Sequence, residues 1–217
     1  WNARNFHRGL IMRKDRISFD NFSEYQLGIF WGIASFSDDR TTFRCKNKYF
    51  LDIINKTLNN TVYLQYAKDK DQYVLKSQLI DIESFIINNW TDRNAYIRDV
   101  PSLKCYKDFL RAYIELHSSL DYSTRYSNNR KNKYKALRLR IYGNFQLIDS
   151  INHIINKEIP SISLKTTQKA ANKTTRVLYY SSPSEIIDLF SYIEGEEKYE
   201  EYWEEVKIKM KTPRKEY

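Results

Sequence analysis

YQLGIFWGIASF at residues 25–36 and FLRAYIELHSSL at residues 109–120 read as two copies of one element, a helix that closes in small residues and a hydrophobic one. Laid over each other, Ile33 of the first copy falls on His117 of the second. Two further pairings follow in the same order. FRCKNKYFLDII (43–54) matches LRIYGNFQLIDSI (139–151), each a short alternating strand, a turn and an amphipathic helix. QYVLKSQLIDIESFII (72–87) matches TRVLYYSSPSEIIDLF (175–190), each a strand followed by a helix, with Ser182 or Ser184 as the N-cap of the second. Each match is weak alone. Three in one order predict a duplicated α-β-β-α-β-β-α unit and an α+β chain.

The polar stretch 88–106, with Pro101 to stop regular structure, separates the copies, and a helix is expected from Lys107 onward. The expected divisions are a basic N-terminal arm (1–21), a first repeat (22–100), a second repeat (101–193) and an acidic tail (194–217). In the tail, Tyr199, Tyr202, Trp203 and Val206 fall at helical spacing.

Composition narrows the function classes. The chain has 217 residues, 41% of them hydrophobic and 29% charged, which is long and apolar enough for a real core. Its longest apolar run, Leu27 to Ser35, is far short of a membrane-spanning helix, so no membrane partner is expected. Cys45 and Cys105 form no CxxC and have no clustered histidine, so neither a zinc site nor a disulfide framework is expected. A reduced, intracellular and cytoplasmic setting is the natural reading, of bacterial or phage origin before an organelle. The first residue is Trp1, read as a trimmed or processed end, and the residues after it lack the apolar segment of a signal peptide.

The net charge is +9, and seven glutamates against one lysine between Glu194 and Glu205 leave the rest of the chain more basic still. A polyanion is the expected partner, nucleic acid before a membrane surface. The strand YKALRLRIY (134–142) sharpens this: Leu137, Leu139 and Ile141 point one way, and Ala136, Arg138, Arg140 and Tyr142 the other. TTFRCK repeats the pattern, with Phe43 and Cys45 opposite Thr42, Arg44 and Lys46. Lys76, Lys165 and Arg176 are expected on the same cationic face, and Arg130, Lys131 and Lys133 on a basic loop tip. Lysine and arginine neutralise phosphates and release counterions, while side chains on strands can reach base edges in the major groove. Alanine at Arg138 and Arg140 is then expected to weaken DNA binding severely and flatten its salt dependence.

The two helix stretches, the junction 87–115 with its W-T-x-R, proline and D-F-L-R, and LRIYGNFQLIDSI together resemble the LAGLIDADG homing endonucleases in their single-chain, two-repeat form. The resemblance covers about residues 22–193. It implies two αββαββα halves related by a pseudo-twofold axis, a monomer that is an internal pseudo-dimer, shaped as a DNA-binding saddle. It also implies close packing of the motif helices at Gly28, Gly32 and Ala112, and a divalent metal held by one acid from the end of each helix. Those acid positions fall on Ile33 and His117, and the following glycines on Ala34 and Ser118. Isoleucine ligates nothing, and a lone histidine is a poor Mg²⁺ ligand. The expected function is sequence-specific recognition of double-stranded DNA without cleavage, as in transcriptional regulation, with no metal ligand and no cofactor. An Mg²⁺-dependent endonuclease or nickase using displaced acids (Asp38, Asp39, Glu115 or Asp121) is the first alternative, and an intron RNA maturase the second. Metal-dependent strand scission separates the former, preference for structured intron RNA the latter.

Overall fold

The computed structural model describes residues 16–91, 98–127, 130–170 and 174–211, and the side chains of 125–127 and 130–134 lie outside the description. The chain divides between Lys104 and Cys105 into two compact units. In chain order the first holds α1 (Glu24–Ile33), β1 (Ala34–Ser37), β2 (Arg40–Cys45), α2 (Lys48–Thr57), β3 (Gln65–Ala67), β4 (Gln72–Ser77) and α3 (Ile82–Ile87). The second repeats the pattern with α4 (Lys107–His117), β5 (Ser118–Ser127), β6 (Arg130–Asn144), α5 (Phe145–Glu158), β7 (Gln168–Lys169), β8 (Thr175–Tyr180) and α6 (Pro183–Ile193), then adds α7 (Glu200–Lys211). The α-β-β-α-β-β-α duplication is therefore present, and α4 begins at the expected Lys107.

Each unit has one four-stranded antiparallel sheet, in order β1-β2-β4-β3 and β5-β6-β8-β7. One end of each motif stretch differs from expectation. Ala34-Ser35-Phe36 and Ser118-Ser119-Leu120 do not close the helices but open β1 and β5, so each helix runs into a strand without a loop.

The local reasons are legible residue by residue. Ser23 and Gln26 form a capping box at α1: the Gln26 amide donates to Ser23 Oγ, and the Ser23 amide to Gln26 Oε1 at 2.8 Å. Asn47 and Asn144 stand at equivalent places in the two repeats, and each caps the helix that follows, accepting from Tyr49 N and Leu147 N. Ser182 is the N-cap residue of α6, with Pro183 at the first helical position, yet its hydroxyl meets Ser184 Oγ rather than the helix backbone.

The core of the first unit is aromatic. Phe30 stacks on Phe85 with centroids 3.9 Å apart, and Phe22, Phe43 and Trp90 present their edges to Phe30. Phe19 belongs to the same cluster, and Ile17 pairs with Ile80. Residues 16–21 of the expected arm are thus part of the first unit, because Phe19 buries its ring there; residues 1–15 lie outside the described residues. Arg98, 3% exposed, donates to Trp31 O and Thr91 O and lies over the Trp90 ring, while Trp31 Nε1 donates to Asp99 O. The junction is thereby tied to α1. The second unit packs Leu139, Ile141, Leu178 and Tyr180 of its sheet with Leu147, Ile148, Ile151, Ile186 and Leu189 of α5 and α6 in one buried core.

Candidate nucleic-acid interface

The ends of α1 and α4 come first, because the resemblance calls for a metal-holding acid at each. Ile33 ends α1 and is buried hydrocarbon, followed by fully buried Ala34. His117 ends α4 half-buried, its ring centroid 4.8 Å from that of Tyr113. Neither Ile33 nor His117 offers a carboxylate oxygen, so these two residues do not fit a hard divalent cation of the kind the resemblance implies. Among the described residues no group of three or more histidine, cysteine, aspartate or glutamate side chains is placed to hold a metal.

The four displaced acids have other surroundings. Asp38 and Asp39, both at positive φ, form the two-residue turn between β1 and β2, since Ser37 pairs with Arg40. Four residues of strand put them roughly 13 Å beyond the end of α1 at the rise of an extended chain. Glu115, 7% exposed, accepts from Trp203 Nε1 at 2.6 Å and from Tyr199 N at 3.2 Å, so it anchors α7. Asp121 is the fourth residue of β5 and binds two arginines.

The sheets supply the cationic surface. In the first, Ala34, Phe43 and Leu75 are in register and face the helices. The opposite face carries Ser35, Thr42 and Lys76 in one row and Gln65, Val74 and Arg44 in the next. Arg44 and Lys76 are exposed, and Arg44 Nη1 donates to Ser35 Oγ at 3.1 Å. Lys46 is exposed as well, 3.6 Å from Asp71, whose carboxylate also accepts from Tyr66. The Tyr66 hydroxyl holds that carboxylate below its usual range, with Lys46 adding to the effect.

In the second sheet the alternation of β6 is as expected: Leu137, Leu139 and Ile141 are buried, and Arg138 and Arg140 lie on the other face. They are not free cations. Arg138 grips Asp121 with two bonds, Nε to Oδ1 at 2.7 Å and Nη2 to Oδ2 at 2.8 Å, and Arg140 Nη2 reaches Oδ2 at 2.6 Å. The Arg138 hydrogen bond holds the Asp121 carboxyl below the usual aspartate range, so Asp121 is ionised at neutral pH.

Two expected members of this face are elsewhere. Arg176 pairs with Gly143 and shares its side of β8 with buried Leu178 and Tyr180; its guanidinium lies 4.9 Å from the Phe145 ring centroid. The alternation of β8 is ambiguous because Val177 and Leu178 are both buried. Lys165 is on no strand: it sits between α5 and β7, paired to Glu185 and near the Tyr180 ring. Apolar neighbours and a glutamate hold both on the helix side.

Arg130, Lys131 and Lys133, expected on a loop tip, lie on β6 instead, with side chains outside the described residues. β6 pairs with β8 only from Leu139 to Asn144, whereas its pairing with β5 continues to Arg130. The outer part is therefore a two-stranded ribbon, Tyr122–Ser127 against Arg130–Leu137, roughly 20 Å long by the strand rise. A major groove admits such a ribbon.

No family model matches the chain, and no curated protein does. Solved structures do. The I-LtrWI LAGLIDADG homing endonuclease bound to target DNA superposes with a TM-score of 0.61 at 12% identity, covering 87% of this chain and 89% of that one. A lysine-to-alanine mutant of I-SmaMI gives 0.60 at 11%, covering 87% and 90%. I-SmaMI bound to an uncleaved DNA target with calcium ions gives 0.58 at 12%, covering 87% and 91%. With the duplicated αββαββα units and their two antiparallel sheets, the chain has the two-repeat fold of the single-chain LAGLIDADG homing endonucleases.

Proposed function

We propose that this protein recognises a specific stretch of double-stranded DNA with the open faces of its two sheets and does not cut it, acting as a regulator at the site it occupies. It works as a monomer whose two repeats replace the two halves of a dimer. The DNA-bound solved structures of this fold support duplex DNA as the partner, as do Arg44, Lys46, Lys76 and the Asp121–Arg138–Arg140 cluster on the two open faces. The observation that carries the non-cleaving half is the pair of helix ends. Buried Ile33 and ring-packed His117 stand where the resemblance calls for acids, while Glu115 and Asp121 are committed to Trp203 and to two arginines.

The test is selection from a random duplex pool, followed by incubation of the bound fraction with Mg²⁺ or Mn²⁺ and a strand-break readout. One long enriched site that stays intact is expected. Breaks at that site would overturn the non-cleaving reading, and a pool that does not enrich would overturn DNA recognition itself. No described helix is long and apolar enough to cross a membrane.

A further inference from the structure

The geometry points to Asp121 as a specificity-determining residue: it fixes Arg138 and Arg140 as a rigid set of donors that reads guanine in the bound duplex. This rests on the DNA-binding reading above. A carboxylate among arginines on a DNA-facing sheet is unexpected on electrostatic grounds, because it repels phosphates and cancels one of two cations. What it supplies is order. A free arginine carries large rotamer freedom that binding must remove, whereas a guanidinium already held in a two-point grip has lost it before the partner arrives.

The donor inventory suits a two-acceptor edge. A guanidinium has five N–H donors in a fixed plane. Arg138 spends Nε and one Nη2 hydrogen on Asp121 and keeps the rest, while Arg140 spends one Nη2 hydrogen. Arg140 Nε is itself buried without an acceptor, so the donors that Arg140 can present outward are the remaining hydrogens of its two Nη groups. Its guanidinium is 5.8 Å from the Tyr142 ring centroid, and its strand partner on β8 is Tyr179, so ring and neighbour restrict it further. Donors in a plane, short of acceptors and held apart from phosphate by an adjacent carboxylate, match the O6 and N7 acceptors of guanine in the major groove. A phosphate is the poorer fit, since it would lie against the Asp121 charge.

The experiment compares wild type with Asp121→Asn and Asp121→Ala on the site selected by the wild type, on all its single-base-pair variants, and on unrelated duplex across a salt series. Asparagine keeps the shape and loses the charge, and a thermal unfolding curve shows that each variant is folded. Binding to unrelated duplex should become tighter, with a salt slope steeper by about one, because one negative charge has left the face. Discrimination should fall about tenfold, and only at one or two G·C pairs, where each bidentate reading carries a factor of that order. The other positions should keep their preference. A merely structural aspartate would change affinity evenly across the site. An unchanged or evenly lowered profile in folded Asp121→Asn overturns the assignment, and so does a loss confined to A·T pairs. Failure of the wild type to select any site overturns the DNA-binding reading first, and this inference with it.

Discussion

Arg111→Ala should lower the stability of the protein by about 4 kcal/mol and its thermal midpoint by roughly 8–16 °C. Arg111 is 2% exposed and lies inside α4, where a lone cation would be prohibitive. It is accommodated because its donors are used: Nε to Glu197 O at 2.7 Å, Nη1 to Ile193 O at 2.8 Å, and Nη2 to Asp108 Oδ1 at 2.8 Å. Ile193 ends α6, and Glu197 lies in the link to α7, so one guanidinium fastens the C-terminal segment to the motif helix. Alanine would remove two charge-assisted bonds to carbonyls and leave a hole the size of the side chain. Gly195→Ala approaches the same place from the other side, since a Cβ there would come 2.6 Å from Arg111 Cζ. The two single variants should destabilise in the same direction, and their double should fall short of the sum, because both break one set of contacts. A midpoint within about 2 °C of wild type for Arg111→Ala, well inside the shift expected for such a loss, would mean that the contacts of Glu115 with Trp203 and Tyr199 hold the C-terminal segment without Arg111.

That arginine shows what kind of information the sequence withholds. In FLRAYIELH, Arg111 and Glu115 are four apart on a helix and would suit a solvated ion pair. Both are buried, with Glu115 accepting from the Trp203 indole and Arg111 donating to the backbone carbonyls of Ile193 and Glu197. The acidic tail therefore docks its Trp203 onto a buried acid of α4, while the link before it is held by a buried arginine of the same helix, a pairing visible only once the helices are packed. By contrast, the order of elements, the helix start at Lys107, and the inward set Leu137, Leu139 and Ile141 all follow from local periodicity, which is written in consecutive residues.

The cationic face is half legible for a related reason. Alternation tells which residues of β6 share a side, and Arg138 and Arg140 do. It does not tell what lies across from them. Ser127 pairs with Arg130, and carrying that register back along the hairpin would set Asp121 opposite Ala136. A register shift between Tyr126 and Ser127 moves the pairing by two residues, so Asp121 meets Arg138. One bulge thus converts two apparently free arginines into a clustered pair. Arg176 escapes the sequence reading because a basic residue carries no mark of side when Val177 and Leu178 beside it are apolar on both faces, and Lys165 because its stretch forms no strand.

The pairing changes what the arginines should do to salt dependence. Neither Arg44 nor Lys76 is in an ion pair among the described residues, so each brings a full charge to the duplex. Arg44→Ala with Lys76→Ala should therefore reduce the slope of log affinity against log salt by about two, at roughly 0.9 per phosphate contact. Its deficit against wild type should shrink about tenfold between roughly 50 and 200 mM salt. Removing the whole second cluster, Asp121, Arg138 and Arg140 together, deletes as many cations but only one net charge, and its slope should fall by about one. Removing only the two arginines is harsher, since Asp121 is left as a bare carboxylate on the duplex side, 34% exposed. The severe loss expected from the sequence for that double variant then has a different cause, repulsion from an orphaned acid, and adding Asp121→Ala in the same background should recover part of it. Filter or fluorescence titrations across a salt series give all three slopes. Equal slope losses for the Arg44/Lys76 pair and the three-residue cluster would mean that the Asp121 pairing opens on the duplex. A slope unaltered by loss of Arg44 and Lys76 would remove the first sheet from the interface.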